Sequence, residues 1–190
     1  GPDAENLTEG NTGLSTAGNL TVSDVDTSDV VTAARTLLVS GSSDRTDPAA
    51  PNDASLLAMF SVSPTTILGN TQNSATLNWA FDSASQAFDY LAEGQTLVLT
   101  YTVTATDDNG TALANSETVT LTITGSNDAP IITLLSQDSD SAALSETNDS
   151  LSAQGTLTVG DVDRADTVSP SVVSVVATGI TTGLQSNNAA

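Results

Sequence analysis

The chain has 190 residues, of which 23 are acidic and 3 are arginine, and it contains no lysine, histidine or cysteine, for a formal charge of −20. This balance argues against nucleic-acid binding, which needs a basic face, and against contact with an anionic membrane surface. The absence of cysteine excludes disulfides and thiolate metal sites, so a secreted protein of this composition needs another stabiliser, such as bound calcium. A mean hydropathy of zero and the abundance of Thr and Val predict a folded all-β protein.

The first half of the chain predicts short strands separated by polar loops. Gly1-Pro2 is interpreted as the remnant of a cleaved tag and is left out of the fold. Residues 23–29 form an acidic loop, and residues 40–55, which contain two prolines, form a long loop. We predict strands at residues 7–9, 19–22, 30–39 and 56–62.

The middle of the chain alternates apolar and polar residues, as strands with one buried face do. We predict strands at residues 76–82, 97–106 and 118–124, with a turn at residues 107–110. The residues predicted to face the core are Leu77, Trp79, Phe81, Leu97, Leu99, Tyr101, Val103, Ala105, Val119, Leu121 and Ile123. This pattern predicts a β-sandwich in which each sheet buries one face.

The chain also repeats itself. Residues 14–26 read LSTAGNLTVSDVD, and residues 151–163 read LSAQGTLTVGDVD, with nine identical positions at an offset of 137. Such self-similarity indicates tandem modules. We therefore divide the chain into a first repeat at residues 3–124, a GSNDAP linker at 125–130, and the N-terminal part of the next repeat at 131–190. Residues 131–135 have no counterpart upstream, so the first repeat is expected to lack its first strand and the second to be truncated.

Three segments carry a family resemblance: GNLTVSDVD, FDYLAEGQTLVLTYTVTATDDNG and ETVTLTITGSNDAP. Together they resemble the VCBS and cadherin-like repeats of giant RTX-type bacterial adhesins. The resemblance implies an immunoglobulin/cadherin-like β-sandwich with calcium at the joints between repeats. It also implies type I secretion, an extracellular location at the bacterial cell surface, and an extender role in adhesion and biofilm formation. Neighbouring repeats of the same chain would be the partners.

Calcium takes six to eight oxygen ligands, mostly carboxylates and carbonyls from loops. In a sandwich of this kind, the linker lies near the exit end of the first repeat and faces the acidic loop of the second. The ligands expected at this joint are Glu9, Asp89, Asn127, Asp128, Asp161 and Asp163. A matching half-site at the other end of the first repeat would use Asp24, Asp26 and Asp107. The alternative for each acid is a solvated loop carboxylate; Asp29 and Asp166 are weaker candidates.

The residues also bear on two other function classes. The outward Thr rows could bind ice or carbohydrate, and Trp79 could be a sugar platform, so a carbohydrate- or ice-binding module is the alternative function. The simpler interpretation is that the Thr residues are ordinary exposed strand residues and that Trp79 lies in the core. An enzyme is not expected, because without His or Cys only a carboxylate pair could act, and the acids lie in turns. A final hypothesis is that residues 131–135 supply the missing first strand to another molecule, which would give a strand-swapped dimer.

Overall fold

The computed structural model describes residues 4–108 and 114–180, and almost all of their regular structure is β. The strands are β1 (Ala4–Thr8), β2 (Ser15–Ser23), β3 (Val31–Gly41), β4 (Phe60–Ser63), β5 (Thr66–Leu68), β6 (Ser74–Asp82), β7 (Thr96–Thr106), β8 (Ala114–Thr124), β9 (Ile131–Thr133) and β10 (Thr158–Gly160). One short helix, α1 (Asp53–Ala58), precedes β4. The interpreted tag remnant, part of the predicted turn at 107–110, and residues 181–190 lie outside the described residues.

The first repeat is a sandwich of two sheets. One sheet has three antiparallel strands in the order β2-β6-β4, and the other has five strands in the order β1-β8-β7-β3-β5. All neighbours in the larger sheet are antiparallel except β1, which runs parallel to β8. This strand order is that of an immunoglobulin-type sandwich, in which the second, fourth and fifth main strands form one sheet and the third, sixth and seventh the other. The prediction of an all-β, immunoglobulin-like sandwich is confirmed.

Alternation along the strands fills the space between the sheets. Leu97, Leu99, Tyr101 and Val103 of β7 are buried, as are Val119, Leu121 and Ile123 of β8. The ring of Phe60 stacks on Tyr101, with centroids 4.1 Å apart, and on Trp79 at 5.7 Å. Trp79 is 1% exposed, so the core interpretation of this residue is correct.

The prediction of a single strand at residues 56–62 is wrong at its start. The side chain of Asn52 accepts a hydrogen bond from the Ser55 backbone N–H at 2.9 Å, which caps α1. Helix α1 buries Leu56, and the hydroxyl of Tyr101 donates to the Leu56 carbonyl at 2.8 Å. An N-cap and one buried leucine therefore make a turn of helix where the apolar composition predicted strand.

The second repeat has much less regular structure. Its strands in residues 131–180 are β9 and β10, which pair antiparallel with Thr133 opposite Thr158. Most of the large apolar side chains in residues 131–180 are exposed. Within the described residues, no helix has the length and apolar character needed to cross a membrane.

Candidate metal centre at the joint between the repeats

Glu9 is carried to the joint by the pairing of the first and last strands of the sandwich. Because β1 runs parallel to β8, both strands end on the same side, and the Glu9 N–H donates to the Thr124 carbonyl at 2.9 Å. Oε1 of Glu9 accepts hydrogen bonds from Ser126, at 2.8 Å from its N–H and 2.6 Å from its Oγ. The side chain is only 4% exposed, and its Oε2 is buried without a hydrogen-bond partner.

Asp89 lies in the corner between β6 and β7. The neighbouring Phe88 has a φ of 70° and is fully buried, so it anchors the corner in the core. Oδ1 of Asp89 is buried without a hydrogen-bond partner. Carboxylate oxygens of Glu9, Asp89 and Asp128 all lie within 4.8 Å of one another. Three acids from distant parts of the sequence therefore meet at one point.

The start of the linker is packed against the first sandwich. A Cβ on Gly125 would overlap the carbonyl oxygens of Leu91 and Ala92, so glycine permits the close approach here. The Gly125 N–H donates to the Gln95 carbonyl at 2.8 Å, and Ser126 is bonded to Glu9. Contacts with the first sandwich therefore hold both Gly125 and Ser126 where the chain leaves β8.

The second repeat contributes Asp163, whose side chain is completely buried. Its Oδ2 accepts a hydrogen bond from the Asp128 N–H at 2.7 Å, and its own N–H donates to Oδ1 of Asp161 at 3.0 Å. Oδ1 of Asp163 and Oδ2 of Asp128 are buried without hydrogen-bond partners. We call Glu9, Asp89, Asp128 and Asp163 the joint cluster.

The joint cluster is electrostatically strained. Burial raises the pKa of the Asp128 carboxyl above its usual value, and the charges of Glu9, Asp163, Asp89 and Asp161 raise it further. Burial also raises the pKa of Asp163, an effect that the hydrogen bond from Asp128 opposes. Burial and the neighbouring negative charges thus make the ionised forms of Asp128 and Asp163 costlier in the folded protein. A cation among them would remove this repulsion.

The donor set indicates which cation fits. The joint cluster supplies four buried carboxylate oxygens that lack partners, one from each acid. Nitrogen and sulfur ligands are excluded because the chain has no His or Cys. An all-oxygen set on loops and strand ends suits Ca²⁺, and suits Mg²⁺ less well because Mg²⁺ gives up its water reluctantly. Asp161, backbone carbonyls or water would complete the coordination.

The remaining predicted ligands are placed differently. Asn127 is exposed, and its amide donates to the Asp128 carbonyl at 3.0 Å. At the opposite end of the first repeat, the Asp26 N–H donates to Oδ1 of Asp24 at 2.9 Å. Asp24 and Asp107 line the same groove, but within the described part of the chain these two and Asp26 do not form a compact group like the joint cluster.

The two acidic loops have the same local geometry in different surroundings. The Asp163 N–H donates to Asp161, just as the Asp26 N–H donates to Asp24. A turn follows in both copies, in which the Asp166 N–H donates to the Asp163 carbonyl at 2.9 Å and the Asp29 N–H donates to the Asp26 carbonyl at 3.1 Å. Asp163 is nevertheless buried, whereas Asp26 is exposed. The difference arises because a preceding sandwich covers Asp163 and none of the described residues does this for Asp26.

Sequence reasoning missed two contributors to the joint. Ser126 donates to Glu9 through both its N–H and its hydroxyl, but the sequence assigned it only to the GSNDAP linker. Arg164 of the second repeat forms an ion pair with Asp47 of the first, with Nε and Oδ2 3.1 Å apart. The Asp47 side chain is 5% exposed, and its other oxygen accepts from the Ala49 N–H at 2.7 Å. The feature of the sequence that could have drawn attention to Arg164 is that the chain has only three cationic residues.

No protein-family model matches the chain, and no curated protein matches it. Among solved structures, it is similar to the ASH / PapD-like domain 7 of human CEP192, with 13% identity and a TM-score of 0.37 over 63% of this chain and 80% of that one. It is also similar to the periplasmic chaperone SfaE (16% identity, TM-score 0.36, 66% and 56% coverage). A third similar structure is the Pseudomonas aeruginosa CupB2 chaperone (15%, 0.30, 57% and 48%). At these identities and scores the similarities carry nothing about function.

Proposed function

We propose that this chain is part of a tandem array of extender modules on a large secreted bacterial adhesin, and that Ca²⁺ at the joint makes the array rigid. In this proposal the array projects a distal ligand-binding region away from the cell surface for adhesion and biofilm formation. The role is structural, with no catalytic step. The resemblance to VCBS and cadherin-like repeats suggests the biological setting, and the joint cluster supplies the physical argument.

The observation that carries the proposal is the set of four buried, unpartnered carboxylate oxygens. A buried polar atom without a hydrogen bond is costly, and a buried charge without a counter-charge costs more. Three of these acids have carboxylate oxygens within 4.8 Å of one another, and Asp163 is hydrogen-bonded to Asp128. A divalent cation bound there would offset both the unpartnered oxygens and the raised pKa values of Asp128 and Asp163. The same atoms would be an unexplained penalty in a protein that binds nothing there.

The positions of the four acids support a rigid joint. Glu9 follows β1 and Asp89 lies in a corner of the first sandwich, whereas Asp128 is in the linker and Asp163 belongs to the second repeat. An ion that binds all four ties three segments to one centre, which fixes the angle between repeats. Without the ion, repulsion favours geometries that separate the acids. Secretion into millimolar calcium would then rigidify the array outside the cell.

The alternative is a carbohydrate- or ice-binding face on the five-stranded sheet. The observation that favours it is a register in which Thr36, Thr102 and Thr118 lie side by side, as do Thr100 and Thr120. The exposed Leu38 interrupts these rows, and Trp79 cannot act as a sugar platform because it is buried. This alternative leaves the joint cluster unexplained, so the extender function is preferred.

The test measures a distance across the joint. Thr36→Cys in β3 and Thr156→Cys in the second repeat introduce the chain's only two cysteines, both at exposed positions, for spin labels. We expect a narrow distribution of label distances in several millimolar Ca²⁺ and a broad one in chelator. Dilution with unlabelled chain keeps the measured distances within one molecule.

Two controls sharpen this test. The double variant Asp161→Asn with Asp163→Asn should give the broad distribution even in calcium, because it removes two carboxylates from the joint. Neither residue belongs to the core of the first sandwich, so that sandwich should stay folded. The same concentration of Mg²⁺ should narrow the distribution much less than Ca²⁺. Identical distributions for the wild-type chain in calcium and in chelator would show that the ion does not set the joint.

A further inference from the structure

A groove opens at one edge of the first sandwich, between β2 of the small sheet and β7 and β8 of the large one. Its volume is about 330 Å³. Its apolar lining comes from both sheets and consists of Leu20, Val22, Val31, Leu77, Val103 and Ala105. Leu20 and Val22 are only partly buried although they pack against the core. Among the described residues, the two sheets are therefore incompletely closed on this side.

The strand that borders the groove has a free edge. Strand β2 pairs with β6 on one side, and within the described residues no strand pairs with its other side. Free edges present unpaired N–H and C=O groups and readily accept another strand. The β2 edge thus combines an open backbone edge with an apolar groove beside it.

The second repeat shows what covers the equivalent edge. Strand β10 (Thr158–Gly160) lies at the positions equivalent to residues 21–23 of β2, and it is paired antiparallel with β9 (Ile131–Thr133). Transferring this register to the first repeat places Thr133 opposite Thr21, Ile132 opposite Val22 and Ile131 opposite Ser23. One residue further, Leu134 lies opposite Leu20.

In that register the side chains suit the groove. Directly opposed residues of an antiparallel pair point to the same face of the sheet. Ile132 and Leu134 would therefore lie on the face of Val22 and Leu20, which is the groove side, while Ile131 and Thr133 would face outward. Ile132 is 63% exposed and Leu134 is 53% exposed, so both have apolar surface left to bury.

We propose that this groove is a strand-accepting site, and that its occupant is the segment at residues 131–135 of a second copy of this chain. The donated strand pairs antiparallel with β2, with Thr133 opposite Thr21, and inserts Ile132 and Leu134 between the sheets. Donation requires the release of the three-residue β9 from β10, a short pairing on an open repeat. The charge of −20 on each chain opposes association, so salt strengthens it.

The first test locates the strand by cross-linking. One batch of chain carries Thr21→Cys and the other carries Thr133→Cys, and the mixture is oxidised. Because opposed residues of antiparallel strands have Cα atoms about 4.5–5.5 Å apart, they are within reach of a disulfide. We expect a covalent heterodimer in yields roughly tenfold above a control with Thr66→Cys, which lies on the free edge of β5 at the far side of the other sheet.

The second test compares association of two matched variants by sedimentation at several concentrations and at high salt. Ile132→Asp places a carboxylate in the groove and should weaken self-association by about tenfold or more. Ile131→Asp adds the same charge and removes the same side chain on the outward face, so it should weaken association far less. Both residues lie outside the core of the first sandwich, so neither variant unfolds it.

The outcomes separate the occupants. A Thr21–Thr133 cross-link together with association that depends on Ile132 supports the proposal. A chain that is monomeric at all concentrations, or equal cross-linking at Thr21 and Thr66, overturns it. Association that is equally sensitive to Ile131→Asp and Ile132→Asp would also overturn it, because the contact would then not use the groove.

Discussion

The substitution Asp128→Asn should change stability in opposite directions with and without calcium. Asn keeps the size of the side chain and leaves the backbone N–H that binds Asp163, so it removes chiefly one charge. In chelator that charge only repels its neighbours, and its loss should stabilise the protein. In calcium the same charge is a ligand, and its loss should weaken binding of the ion.

The magnitude follows from the spacing of the cluster. The carboxylate oxygens of Glu9, Asp89 and Asp128 lie within 4.8 Å of one another, and two like charges at that limiting distance repel by about 3 kcal/mol at an effective dielectric of 20. Because Asp128 is only partly buried, solvent screening reduces the gain in chelator to about 1 kcal/mol, or about 3 °C in melting temperature for a domain of this size. With a dissociation constant of about 0.1 mM, 10 mM calcium stabilises the wild type by about 2.7 kcal/mol. A tenfold weaker site retains about 1.4 kcal/mol of that stabilisation.

The assay is thermal unfolding of both proteins, in chelator and in 10 mM calcium, followed by circular dichroism. The matched control is Asp140→Asn, which removes one charge from an exposed loop acid outside the joint cluster. We expect the calcium-induced rise in melting temperature to be roughly halved in Asp128→Asn and unchanged in Asp140→Asn. If Asp128→Asn lowered the melting temperature in chelator, or left the calcium effect intact, the account of the joint cluster would be refuted.

Two further predictions concern the same joint. Since the folded-state pKa values of Asp128 and Asp163 are raised, the calcium-free protein should gain stability as the pH falls through those values toward 3.8, whereas calcium stabilisation should fade over the same range. Melting curves between pH 7 and 4 check this, and a calcium-free melting temperature that falls steadily with pH would contradict it. Arg164→Met should leave the buried Asp47 carboxylate without its ion pair and destabilise the first sandwich by about 1 kcal/mol with or without calcium. Urea unfolding measures this cost, with Asp53→Asn as the control because it breaks only an exposed ion pair; equal effects would mean that the cross-repeat pair adds nothing.

Patterns local in sequence were read correctly without the structure. The alternation in β6, β7 and β8 determines which face of each strand is buried, because successive side chains on a strand point in opposite directions. The two Asp-x-Asp loops also have the same local hydrogen bond: the Asp26 N–H donates to Asp24, and the Asp163 N–H donates to Asp161. The strand predicted at residues 56–62 was wrong at its start, because the Asn52 side chain caps helix α1 there although the apolar composition favours a strand.

What only the tertiary structure decided is which acids meet. Asp26 and Asp163 have the same local sequence and the same turn, yet only Asp163 is buried, because burial there depends on a neighbouring sandwich. Glu9 contacts Ser126, 117 residues away, only because β1 lies parallel to β8 and both end at the joint. The sequence by itself determined the sheet faces, the repeat and the pool of candidate ligands. Selecting four of them required strand pairing across the whole repeat, since side-chain proximity between distant residues is a property of the packed sheets.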